Sequence, residues 1–97
     1  MNIISVMTQG VKFSILEGEI NKGDLVVALR KFNDNDWGIL SDEDKEFQNK
    51  LLEIKNAKFV ERFMGVYKSK DIRFWVMSEY DYSIESLVIT ILLPEEY

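Results

Sequence analysis

Ile72-Arg-Phe-Trp-Val-Met-Ser-Glu79 and Leu87-Val-Ile-Thr-Ile-Leu-Leu93 are the two most regular segments of this chain. The first alternates, with Ile72, Phe74 and Val76 on one side and Arg73, Trp75 and Met77 on the other. The second places Leu87, Ile89, Ile91 and Leu93 on one side. A period of two with β-branched and aromatic residues specifies strands. The linking segment Asp81–Glu85 is a mostly polar loop. Short connections of this kind favour antiparallel pairing. Pro94 closes the last strand, because it has no N–H to give to a ladder.

Working outward toward the N-terminus, Phe59–Tyr67 also alternates and is joined to the next strand by the turn Ser69-Lys70-Asp71. A three-stranded antiparallel meander results. Ahead of it stands the clearest predicted helix. Ser41 caps it, Asp42-Glu43-Asp44 place carboxylates at the positive end of the helix dipole, and Asn56 or Ala57 ends it. Phe47, Leu51 and Ile54 recur at helical spacing as a core-facing stripe, and Glu46 can pair with Lys50. Asp24 is the expected N-cap of an earlier helix over Leu25–Phe32, with Val26, Leu29 and Phe32 facing inward. Asn33 to Asp36 interrupt it, since their side chains compete for backbone hydrogen bonds, and Trp37-Gly38-Ile39-Leu40 reads as an apolar plug in a loop. Ile3–Met7 is a short strand. Val11–Leu16 reads as a short helix ended by Gly18, with a strand after a Gly10 hairpin turn as the alternative. The expected architecture is α+β: an N-terminal short strand and two to three helices packed on a C-terminal three-stranded antiparallel β-meander, as a single domain over residues 1–97.

Composition restricts the chemistry. The 97 residues contain no Cys and no His. Thiolate metal sites, cysteine nucleophiles and histidine bases are thereby excluded. No serine sits in a G-x-S-x-G elbow, and the five glycines form neither a phosphate-binding loop nor a dinucleotide fingerprint. Asp34, Asp36, Asp42 and Asp44 fail the spacing of a calcium loop, since the fifth position counted from Asp34 is Gly38 and the sixth from Asp42 is Phe47. The expectation is a non-enzyme without cofactor or metal. The absence of Cys suits a reducing cytoplasm. The opening residues lack the pattern of a signal peptide, and the longest apolar run is too short to span a bilayer. Asp and Glu number 17 against 12 Lys and Arg, a net charge of −5. That balance disfavours nucleic acid and suits a basic protein partner. Lys55, Lys58, Arg62, Lys68, Lys70 and Arg73 do concentrate between helix and hairpin, but the aromatics near them form no ribonucleoprotein-type motif.

Met7-Thr-Gln-Gly-Val11, Asn35-Asp-Trp-Gly38, Asp42-Glu-Asp-Lys45, Phe74-Trp-Val-Met-Ser-Glu79 and Thr90-Ile-Leu-Leu-Pro-Glu-Glu-Tyr97 follow one another in that order. In this the chain resembles a family of similarly short proteins carried by plasmids, phages and conjugative elements. Members of that family typically show GDWG, then EEDK, then an I-W-I-I-T-E-x-D-R-S core and a terminal T-x-L-x-P-E-E-Y. The family is often labelled "plasmid-related" or, inaptly, a type I restriction subunit M, since a methyltransferase requires a cofactor-binding domain and an N/D-P-P-Y/F motif. Tyr82 stands where the family has arginine, and Asn35 where it has glycine. The resemblance implies an accessory protein of a mobile element, acting in the cytoplasm of a bacterial host. The expected function is an anti-defence inhibitor, anti-CRISPR or anti-restriction, that occludes a host nuclease. The alternative is a non-catalytic regulator or adaptor that binds nucleic acid or self-associates as a homodimer. Candidate contact residues are Asp34, Asp36, Trp37, Asp42, Glu43 and Asp44 around the long helix start, or Trp75, Glu79, Tyr80, Asp81 and Tyr82 on the hairpin.

Overall fold

In the structure, a computed structural model that describes residues 2–97, the expected α+β arrangement is present. The elements run β1 (Asn2–Met7), α1 (Gln9–Leu16), α2 (Lys22–Asn33), α3 (Asp42–Leu51), α4 (Ala57–Val60), β2 (Phe63–Ser69), β3 (Ile72–Asp81) and β4 (Ser86–Leu92), followed by a 3₁₀ turn over Pro94–Glu96. The described strands form one sheet in the order β1-β4-β3-β2. β2, β3 and β4 are the antiparallel meander. β1 joins it parallel to β4, with Met7 opposite Ile91.

Strand alternation divides the sheet into two faces. Phe63, Tyr67, Phe74, Val76, Ile89 and Ile91 lie on one, buried against Val11, Leu25, Ala28 and Phe32 of the helices. Trp37 belongs to this core. It is 2% exposed, stacks on Phe63 with ring centres 5.4 Å apart, and meets Phe32 edge-on. Its indole N–H donates to Asn49 Oδ1 at 2.9 Å, so the one polar atom of the ring is satisfied. The neighbouring Gly38 has φ of +73°, and a Cβ there would sit 2.0 Å from the Val66 carbonyl oxygen. Only glycine permits that approach.

Several helix boundaries and faces differ from the sequence expectation. Asn21, not Asp24, caps α2, accepting from the Gly23 amide at 2.7 Å. The helix therefore starts earlier and turns Leu25, Ala28 and Phe32 inward, leaving Val26 48% exposed. Asp24 instead accepts from Ser69 Oγ, which accepts from the Asn21 amide and so pins the start of α2 to the end of β2. Ser41 caps α3 as expected, accepting from the Asp44 amide. Its buried residue, however, is Gln48, while Phe47 is 64% exposed and Ile54 42%. The helix lies against the outer edge of β2, where backbone groups need partners. Gln48 Nε2 donates to the Met64 carbonyl and Gln48 Oε1 accepts from the Met64 amide, both at 2.7 Å. Residues 37–39 cover the next position, with the Val66 amide donating to Trp37 and the Ile39 amide to Val66. Phe59 and Val60 lie in α4, so β2 begins only at Phe63.

Candidate interaction surface

The second face of the sheet carries no helix across its middle. Its residues alternate with those of the core: Met64 and Val66 on β2, Trp75, Met77, Glu79 and Asp81 on β3, Val88, Thr90 and Leu92 on β4. Val66 and Leu92 are nearly buried, whereas Trp75, Met77, Val88 and Thr90 are partly open. The chain end folds back onto this face, where Tyr97 meets Trp75 with ring centres 5.5 Å apart.

The fold-back is held by Glu96. Its carboxylate accepts from Thr8 Oγ, from the Gly10 amide at 3.0 Å and from the Leu93 amide at 2.9 Å. A Cβ on Gly10 would come within 2.7 Å of that carboxyl group. The carboxylate thus sits at the start of α1, where free amides and the helix dipole favour negative charge. The hydrogen bond from Thr8, with those from the Leu93 and Gly10 amides, holds its pKa below the usual glutamate range.

Two hollows share the open face. A groove of about 470 Å³ runs along β3 and β4, floored by Met77, Val88, Thr90 and Leu92 and bounded by Tyr82 and Tyr97. Glu79 and Asp81 stand along it. Arg62 reaches Glu79 at 2.9 Å, an exposed pair of little energetic weight. Asp81 Oδ1 accepts from the hydroxyl and amide of Ser83, and those bonds lower its pKa. A second hollow of about 310 Å³ lies between α3 and the sheet. Asp44 and Phe47 form one wall and Met64, Met77 and Tyr97 the other. Met77, Arg62 and Tyr97 line both hollows, making one surface from the start of α3 to the β3–β4 loop.

The two sets of sequence candidates therefore meet in part. Trp75, Glu79, Asp81 and Tyr82 lie on or beside the open face, and Asp44 borders it, with exposed Asp42 and Glu43 in the same helical turn. Tyr80 packs edge-on against Phe59 and Tyr82 and contributes to the lining of the groove at its Tyr82 end. Asp36 lies elsewhere: it accepts from the Gly38 amide and borders a separate hollow with Lys31 and Lys68. Asp34 caps the C-terminal end of α2. Trp37 is corrected outright as a contact residue, because its ring is enclosed by Phe32 and Phe63. Thr90, Val88, Leu92 and Tyr97 are groove residues that the strand pattern did not single out. Alternation places Thr90 opposite the Ile89–Ile91 face, but the fold-back that brings in Tyr97 depends on a contact between opposite ends of the chain.

Of the basic residues, Lys68 and Arg73 are exposed register partners on the same face as Trp75, whereas the others are dispersed. Lys58 Nζ donates to the Asn33 carbonyl, Lys70 Nζ to the Gly18 carbonyl, and Arg62 pairs with Glu79. Among the described residues no three carboxylates gather closely enough to hold a metal ion, and no helix is long and apolar enough to cross a membrane. A largely apolar floor with Tyr82 and Tyr97 at its rim and carboxylates beside it can take up a protein surface whose apolar anchors are ringed by Lys or Arg. No protein-family model, no curated protein and no solved structure matches the chain.

Proposed function

We propose that this chain is a mobile-element accessory protein that works by binding protein: an anti-defence inhibitor that occludes a host nuclease, a CRISPR effector or a restriction enzyme, in the bacterial cytoplasm. The observation that carries the reading is the partly open sheet face, where Met77 and Tyr97 share a groove with Glu79 and Asp81, and Asp44 borders the adjoining hollow. Nucleases hold their substrates through Lys and Arg directed at phosphate. An acidic protein of net charge −5 is attracted to such a surface, and exposed aromatics give it anchors. The resemblance to short plasmid and phage proteins supplies the setting, and the lack of His and Cys favours binding over turnover.

Titrating the purified chain into a DNA-cleavage reaction tests this. For a CRISPR effector or restriction enzyme that it targets, cleavage falls in proportion to added chain and is abolished near one equivalent. Catalytic amounts have no effect, and inhibition weakens as salt rises. A panel of such nucleases left fully active, together with retardation of DNA or RNA by the chain in a gel, would instead favour a nucleic-acid-binding regulator.

A further inference from the structure

β1 is an edge strand built unlike the other edge of the sheet. At β2 the outward amides and carbonyls of Met64 and Val66 are engaged by Gln48 and by residues 37–39. β1 pairs only with β4 among the described residues. The Thr8 amide donates to the Ile91 carbonyl at 3.0 Å. Backbone groups alternate in direction along a strand, so the even-numbered residues of β1 face β4 and those of Ile3, Ser5 and Met7 face outward. Natural edges are usually blunted by Lys, Pro, a bulge or a covering loop. Asn2-Ile-Ile-Ser-Val-Met7 contains no charge and no proline, and it exposes Ile3 by 58%, Ile4 by 39% and Val6 by 42%.

We infer that β1 is the interface of a homodimer, in which it pairs antiparallel with β1 of a second copy about a twofold axis at Ser5. The register is self-complementary. Ser5 faces Ser5 of the second copy and Ile3 faces Met7, each as a hydrogen-bonded pair, giving about six new backbone hydrogen bonds. On the open face Ile4 meets Val6 of the other copy and Val6 meets Ile4, in the close pairs where β-branched side chains pack best. The strand is free of charge, so two chains of net −5 meet there without like-charge contact across the ladder. A twofold axis normal to the sheet keeps both sets of helices on one side. α1 follows β1 directly, packs over β4, and exposes Phe13 by 60% and Leu16 by 84%. The two α1 helices then lie on the same side of the sheet, one on each side of the axis, with exposed Phe13 and Leu16 available to add apolar area to the strand pair. Both grooves then open on the same side of one eight-stranded sheet, a pair of equivalent binding faces. Dimerisation does not depend on what those faces bind.

Sedimentation equilibrium of the purified chain, with amide hydrogen exchange, tests the assignment. The expected mass is that of two 11.4 kDa chains, 22.8 kDa, with the Ile3, Ser5 and Met7 amides protected. Ser5→Pro removes an amide that faces away from β4, so the fold is retained by circular dichroism while the dissociation constant rises at least about 100-fold. The pair Ile4→Lys and Val6→Lys places four cations around the axis and serves the same purpose should the proline variant not fold. A wild-type chain that stays at 11.4 kDa at several hundred micromolar overturns the proposal. So does a dimer that persists in these variants with the Ile3, Ser5 and Met7 amides exchanging freely.

Discussion

Glu96 shows how a single carboxyl group ties the two ends of the chain together. It accepts from Thr8, Gly10 and Leu93, and these bonds stabilise its charged form. Its pKa is therefore lower in the folded chain than in the unfolded one. The resulting stability is present above the ordinary glutamate pKa of 4.5 and is lost as pH falls through the depressed folded value. Glu96→Gln is expected to lower Tm at neutral pH, and the gap to the wild type should close on acidification below pH 4.5. Thermal melts across pH 2–7 check this. Gly10→Ala pushes the same carboxylate away, so the two substitutions should be less than additive when combined. The terminal Pro-Glu-Glu-Tyr stood out in the sequence as a motif. Its partner, the start of α1, lies 86 residues away, and no local pattern connects the two. Trp37 makes the opposite case. It read as a loop plug and is a core residue, so Trp37→Ala should cost about 3–5 kcal/mol in a denaturant melt.

At the scale of elements, α3 marks where periodicity stops being a guide. Phe47, Leu51 and Ile54 have the spacing of a buried stripe, but of the three only Leu51 packs against the core, and the fully buried residue of the helix is Gln48. A stripe argument assumes an apolar surface to pack on. The surface here is a strand edge, whose first need is a donor and an acceptor, and a glutamine side chain supplies both. Gln48→Ala should destabilise the fold by about 1–3 kcal/mol, because the Met64 amide and carbonyl lose their partners. Gln48→Glu keeps the acceptor and loses the donor; it should be less stable than the wild type at neutral pH and recover toward it in acid, where the protonated carboxyl can donate again. Equilibrium urea melts at two pH values distinguish these outcomes. The meander was legible because each strand carries its own alternation and Asp81–Glu85 its own turn chemistry. The caps were legible where Ser41 precedes three acids. The start of α2 was not, because Asn21 and Asp24 are both plausible caps and the choice is made by Ser69, on a strand far along the chain.

For the molecule as a whole, the parallel seating of β1 on β4 was beyond the sequence, since it joins residues that the entire helical layer separates. That seating leaves one face of the sheet to the helices and the other open. The hairpin pattern had already separated Trp75 from Phe74 and Val76, and the open face is where Trp75 now stands beside Tyr97. The acids at the start of α3 and those of β3 were two alternatives in the sequence. Packing brings Asp44 to the same surface as Glu79 and Asp81, and leaves Asp36 apart. The proposed inhibitor role depends on that surface and not on the core, which makes the two separable by substitution.

A plasmid-survival assay in cells carrying the targeted CRISPR or restriction system compares the wild type with Met77→Asp combined with Thr90→Lys, both on the partly open face. Circular dichroism and Tm should show the variant folded. The account predicts that the wild type raises plasmid survival by orders of magnitude and the folded variant does not. Survival raised equally by both proteins would contradict a binding role for the open face.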